Sequence, residues 1–125
     1  MPFQIAGSIS AQQGGSLVLH IGMDRYIIHR KDLRNLLFLG NRVGIINLRE
    51  QATIHGERRE ERILSGWASP SLTGRAILFE IGGPFIRKYS IPRRDIEQVV
   101  KGTARRAHLS RIIHGDTVHT GLAEI

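Results

Sequence analysis

Two twelve-residue segments of this sequence resemble each other closely enough to indicate an internal duplication. The first segment is YIIHRKDLRNLL at residues 26–37, and the second is YSIPRRDIEQVV at residues 89–100. Four of the twelve aligned pairs are identical, and five more keep their chemical character, as Leu33 and Ile96 do. Neither copy is large enough to bury an apolar face alone, so we expect the two copies to pack against each other.

The apolar periodicity around these segments extends the two copies. Residues 16–21 and residues 76–82 alternate apolar with more polar positions, which is typical of a half-buried β-strand. In each copy a second strand, a helix of about two turns and a third strand then follow. We therefore place repeat 1 at about residues 16–48, a charged connection at about residues 49–62, and repeat 2 at about residues 76–113. The charged run at 57–62 of the connection is expected to be either an exposed loop or a strand end.

The predicted elements define a mainly β fold, a β-rich α+β class, in a single domain over residues 1–125. A further strand is expected before each copy, and the one before repeat 2 covers residues 63–68 and ends in a turn at residues 69–74. Two tandem strand–strand–short helix–strand repeats with pseudo-twofold symmetry would form either a compact barrel or a two-sheet sandwich. The pattern does not distinguish these two architectures.

The residues that keep their shape in both copies are expected to form the core. In the second copy they are Tyr89, Ile91, Ile96, Val99 and Val100. Trp67 is expected either in the core or at an interface with a partner. A chain of this length buries a core without staples, and the absence of Cys excludes a disulfide framework and a thiol nucleophile. With no signal-peptide pattern and only short apolar runs, we expect a cytoplasmic protein that does not bind membranes.

The basic residues are unevenly distributed along the chain. The net charge is +7, 15 of the 18 basic residues are Arg, and residues 87–111 alone carry +6. The planar guanidinium of Arg binds phosphate or carboxylate through two parallel hydrogen bonds. An anionic partner is therefore favoured over the alternative, a basic surface that only interacts with solvent.

Our first functional hypothesis is that this small basic protein binds the phosphate backbone of DNA or RNA. Arg93 and Arg94 are expected to project from the junction of a strand and a helix. The predicted nucleic-acid-binding residues are Arg87, Lys88, Arg93, Arg94, Lys101, Arg105 and Arg106 from the second copy, with Arg30, Lys31 and Arg34 from the first. The alternative is a protein-interaction or assembly module that presents the same Arg-rich face to an acidic protein.

An enzyme with a site between the repeats is the third hypothesis, and we predict no catalytic residue and no cofactor. The sequence contains no P-loop, dinucleotide fingerprint or nucleophile elbow. Asp32 and Asp95 are interpreted as helix caps. Four residues near the C-terminus, His108, His114, Asp116 and His119, match no metal-ligand spacing, so no metal site is predicted. We also expect a homo-oligomer, formed by pairing of exposed strand edges or by packing of faces.

Overall fold

The computed structural model describes residues 3–50, 60–82 and 85–112. These residues form eight strands and two helices. The elements in chain order are β1 (Phe3–Ala11), β2 (Leu17–Ile21), β3 (Asp24–Ile28), α1 (Arg30–Leu39), β4 (Val43–Glu50), β5 (Glu60–Pro70), β6 (Ala76–Ile81), β7 (Arg87–Pro92), α2 (Arg93–Lys101) and β8 (Ala107–Ile112).

The strands close into an antiparallel barrel in chain order. Each strand pairs with the strand before it and the strand after it, and β8 pairs with β1 to complete the circle. The predicted mainly β class is confirmed, and of the two predicted architectures the barrel is the one observed. Since every neighbouring pair is antiparallel, β1, β3, β5 and β7 all run in one direction.

Both helices lie at the same end of the barrel, because α1 follows β3 and α2 follows β7. The turns between β1 and β2 and between β5 and β6 lie at this end too. We call it the helical end and define it as residues 12–16, 29–42, 71–75 and 92–106. The opposite end, where β3 and β7 begin, is called the far end.

The helices cover the helical end of the barrel with apolar side chains. In α1, Leu33, Leu36 and Leu37 follow the spacing of one helix face, and all three are buried in the same core as the strand residues. Ile96 and Val99 do the same for α2. Each helix ends at a glycine with a left-handed backbone, at φ 68° for Gly40 and φ 83° for Gly102, a conformation that residues with a Cβ rarely adopt.

Two glycines in the longest strands allow the barrel to close. The register shifts at Ala6, just before Gly7 in β1, and at Ser65, just before Gly66 in β5. A Cβ on Gly66 would lie 2.0 Å from the carbonyl oxygen of Glu80. A Cβ on Gly7 would lie 2.4 Å from that of His20. Bulges increase the local bend and twist of a strand. The two bulges therefore bend β1 between its neighbours β8 and β2, and β5 between its neighbours β4 and β6.

Several predicted boundaries and environments are corrected by the structure. The predicted connection at 49–62 contains two strand ends, since β4 extends to Glu50 and β5 begins at Glu60; a strand end was one of the two alternatives for the charged run at 57–62, and residues 51–59 lie outside the described residues. The predicted turn at 69–74 begins too early, because β5 continues to Pro70. Val100, expected in the core, is 41 % exposed, although its counterpart Leu37 is buried.

The two halves of the barrel have the same order of elements. A long strand, two shorter strands, a helix and a further strand occur once up to Glu50 and again from Glu60. A shared order does not by itself establish a duplication or a symmetry axis, so both stay predictions.

The predicted pairing of exposed strand edges between chains loses its basis in the described strands, because each of them pairs with a neighbour on both sides. Oligomerisation through a face of the barrel remains a prediction.

The close approach at Gly66 predicts a large loss of stability in Gly66→Ala. The new Cβ would overlap a backbone oxygen that is held in the β5–β6 ladder, so we expect a loss of about 3 kcal/mol in the free energy of unfolding. Gly44→Ala is the matched control on the neighbouring strand. Its Cβ would meet only the end of the half-exposed Leu64 side chain, so its effect should stay within about 1 kcal/mol. Urea denaturation of both variants measures the difference, and equal stabilities would contradict this account of the bulge.

Candidate nucleic-acid interface

The positive charge of the chain is concentrated at the helical end. The segments that form this end contain ten basic and three acidic residues, a net charge of +7. The rest of the sequence contains eight basic and eight acidic residues and has no net charge. The fold therefore brings together, at one end of the barrel, basic groups that are distant along the chain.

Eight of the ten residues predicted to bind nucleic acid lie at the helical end. They are Arg30, Lys31 and Arg34 on α1, Arg93, Arg94 and Lys101 on α2, and Arg105 and Arg106 in the segment that follows α2. Arg87 and Lys88 lie instead at the start of β7, at the far end. Strand geometry separates Arg87 from Pro92 by ~17 Å. The single surface that we predicted from residues 87–111 is therefore divided between the two ends of the barrel.

Arg93 connects the two helices and is less exposed than we predicted. Its Nε donates to Oε1 of Glu97 at 2.9 Å, and its Nη2 donates to the backbone carbonyl of Leu37. The first contact lies within α2, whereas the second reaches the last turn of α1. Because a helix leaves its last carbonyls without partners inside the helix, the guanidinium also satisfies one end of α1. Arg93 therefore has a structural role in addition to its charge.

Arg94, the next residue, is the more accessible of the pair. Its side chain is 84 % exposed, and its nearest ion-pair partner is Oδ1 of Asp95 at 3.9 Å. An exposed ion pair at this distance contributes little to stability and is readily exchanged for another anion. Arg94 therefore keeps the accessibility that the sequence predicted for both residues.

A groove of about 400 Å³ runs along the outer face of α1. The six helix residues that line it are Arg30, Lys31, Arg34, Asn35, Phe38 and Leu39. Successive members lie four residues apart in two rows, so they share one face of the helix. The cations occupy the start of the groove, and Phe38, which is 74 % exposed, lies near its end. The sequence contains this spacing, but only the groove shows that Phe38 shares a surface with these cations.

Trp67 lies on the outer surface of the barrel and not in the core. It is 39 % exposed, and the guanidinium carbon of Arg42 lies 4.6 Å from the centroid of its ring. Gly44 is its cross-strand neighbour and has no side chain to occupy the space beside the indole. The core alternative for Trp67 is therefore wrong. Its expected role at an interface stays a prediction.

The acidic and histidine candidates are only partly within the described residues. Asp32 and Asp95 lie in the first turns of α1 and α2, but the N-cap positions belong to His29 and Pro92. Both carboxylates are therefore placed to interact with the helix dipole and are not N-caps. Within residues 3–50, 60–82 and 85–112, no three His, Asp or Glu side chains are grouped to hold a metal ion. His108 is exposed on β8, while His114, Asp116 and His119 lie outside the described residues.

No protein-family model matches this sequence, and searches of curated proteins and of solved structures found no similar protein. Neither α1 nor α2 has the length and hydropathy that a helix needs to cross a membrane, and these are the helices of the described residues. Because the comparisons found no similar protein, a function is proposed first from the charge and shape of the helical end.

The contacts of Arg93 predict that Arg93→Ala is less stable than Arg94→Ala. The first variant loses the hydrogen bond to the Leu37 carbonyl and the partly exposed ion pair with Glu97, so we expect a loss of about 2 kcal/mol in the free energy of unfolding. Arg94→Ala removes the same charge from an exposed position and should stay within about 0.5 kcal/mol of the wild type. Thermal and urea unfolding of the two variants compare them directly. Equal losses would show that Arg93 does not connect the helices.

Proposed function

We propose that the helical end of this protein binds the phosphate backbone of nucleic acid. The observation that supports the proposal is the net charge of +7 on the segments of that end, against no net charge in the rest of the sequence. Nucleic acids carry one negative charge per phosphate, and proteins that neutralise these charges release bound counterions. A cationic surface at one end of a barrel suits such a partner, because it can follow several phosphates of one strand.

The groove along α1 favours single-stranded nucleic acid as the preferred form. The ring of Phe38 is exposed in the same groove as Arg30 and Arg34. An unpaired base can stack on an aromatic ring while the adjoining phosphates contact basic groups, whereas the bases of a duplex are already stacked on one another. Unpaired bases of DNA or RNA would therefore gain a contact on this surface that a duplex lacks.

A salt titration of binding is the direct test. Fluorescence anisotropy with labelled single-stranded DNA, single-stranded RNA and duplex DNA should show affinities that fall linearly with the logarithm of salt concentration. The double variant Arg34→Ala and Arg94→Ala removes two exposed cations from the helical end. It should bind more weakly and reduce the magnitude of the slope by about 1.4 for single strands, or about 0.7 for each phosphate contact.

The matched control is the double variant Arg25→Ala and Lys88→Ala. It removes the same two charges from outside the helical end, in the part of the sequence that has no net charge, so its salt dependence should equal that of the wild type. Equal effects of the two double variants would mean that net charge alone drives binding. Absence of binding at low salt would reject the proposal, and a complex with an acidic protein that survives nuclease treatment would then support the interaction-module alternative.

A further inference from the structure

A layer of polar side chains lies inside the far end of the barrel. Tyr26 on β3 and Asn47 on β4 are direct cross-strand partners, as are Tyr89 on β7 and Arg111 on β8. Cross-strand partners project on the same side of a sheet, and both tyrosines belong to the core inside the barrel. Arg87 lies two residues before Tyr89 and therefore projects to the same side. These polar groups share the far end of the interior with apolar side chains, since Ile81, the cross-strand partner of Arg87, is buried in the core.

A hydrogen bond across the barrel joins two of these side chains, Arg87 and Tyr26. Nη2 of Arg87 donates to the hydroxyl oxygen of Tyr26 at 3.3 Å. The two residues belong to β3 and β7, which are four strands apart in a closed barrel of eight and therefore face each other across its interior. The Tyr26 hydroxyl accepts this bond and keeps its own proton to donate to another group.

Asn47 contains a buried polar atom with no hydrogen-bond partner. The residue is 5 % exposed, and its Oδ1 accepts no hydrogen bond from any of the residues that the structure describes. A buried amide oxygen without a donor costs about 1–3 kcal/mol, and such a group in a folded protein calls for an explanation. Since Asn47 is the cross-strand partner of Tyr26, its missing hydrogen-bond donor would have to lie within the polar layer.

The layer contains two cations, Arg87 and Arg111, and one carboxylate, Asp24, so its charges favour an anion. Arg87 and Arg111 are diagonal neighbours on β7 and β8, a spacing that long side chains can bridge. Burial lowers the pKa of Arg87, but the Tyr26 hydrogen bond and the neighbouring Tyr89 and Asp24 outweigh burial, so its pKa is raised overall. Arg87 is therefore a permanent cation inside the barrel. Arg111 is exposed, so solvent reaches the layer from the far end.

We propose that this layer binds a small organic anion that also carries a hydroxyl or amine group. Its carboxylate or phosphate would contact Arg87 and Arg111 and would accept a hydrogen bond from the Tyr26 hydroxyl. Its hydroxyl or amine would donate to Oδ1 of Asn47 and so satisfy the unpaired atom. The interior of an eight-stranded barrel is filled by side chains or holds one small ligand, and here the ligand would lie at the far end, above the apolar core and away from the nucleic-acid surface at the helical end.

Three probes separate the two parts of this chemistry. Inorganic phosphate supplies an anion alone, whereas glycerol 3-phosphate and malate supply an anion together with a hydroxyl group. We expect glycerol 3-phosphate or malate to raise the Tm of the full chain and to shift the side-chain amide resonances of Asn47 in NMR spectra, with inorganic phosphate binding more weakly. No response to any of the three probes would overturn the proposal.

Two variants test the contribution of single residues. The first also has a measurable effect in the absence of any probe. Asn47→Leu replaces the unsatisfied amide by an apolar group of similar size, so the unliganded variant should have a higher Tm than the wild type but lose the response to the probe. A lower Tm without ligand would show that the amide has a partner in solution and would overturn the proposal.

The exposed Arg111 provides a second variant that should fold normally. Arg111→Gln removes one cation and should weaken binding of the responsive probe about tenfold. Arg25→Gln is its control, because Arg25 lies between Asp24 and Tyr26 on β3 and projects to the outer side of the barrel. Equal affinities of the two variants would exclude the interior site.

Discussion

Antiparallel pairing of every neighbouring strand around a closed circle is the constraint on which this structure depends. In such a barrel every odd-numbered strand ends on the same side, so both helices lie at one end irrespective of their distance along the chain. The two helices then complete the core, since their buried leucine, isoleucine and valine side chains pack onto the same apolar interior as the strands. Closure also gives every described strand a paired neighbour on both sides, which reduces the backbone available for pairing with other chains.

The same constraint separates two kinds of chemistry. The strand β7 is only six residues long, yet its first residue, Arg87, and its last, Pro92, lie at opposite ends of the barrel. As a result the helical end collects the net positive charge, while the far end contains a partly buried polar layer with Arg87 and the unsatisfied Asn47. A long-range electrostatic surface suits an extended polyanion, and a small set of oriented polar groups suits a small molecule. The two proposed activities therefore occupy separate parts of the fold.

The core was largely predictable from the sequence, because it depends on local periodicity. The alternation of Leu17, Leu19 and Ile21, and of Ile77, Phe79 and Ile81, places these residues on one face of a strand, and all six are buried. The bulges beside Gly7 and Gly66, inside β1 and β5, were not predictable in the same way, since the residue pattern of one strand does not show which backbone lies against it. Their need for glycine comes from carbonyl oxygens of another strand, about thirteen residues further along the chain.

By itself, the sequence determined the β-rich class, the two short helices and the overall excess of Arg, since each of these follows from residue type and spacing along a single segment. Only the tertiary structure decided which basic residues share a surface. It placed Arg87 inside the barrel and Arg94 on its surface, and it turned Arg93 towards the carbonyl of Leu37. The physical reason is that a strand reverses the side-chain direction at each residue and carries the chain from one end of the barrel to the other. Basic residues that are adjacent in the sequence therefore need not share a surface in the folded protein.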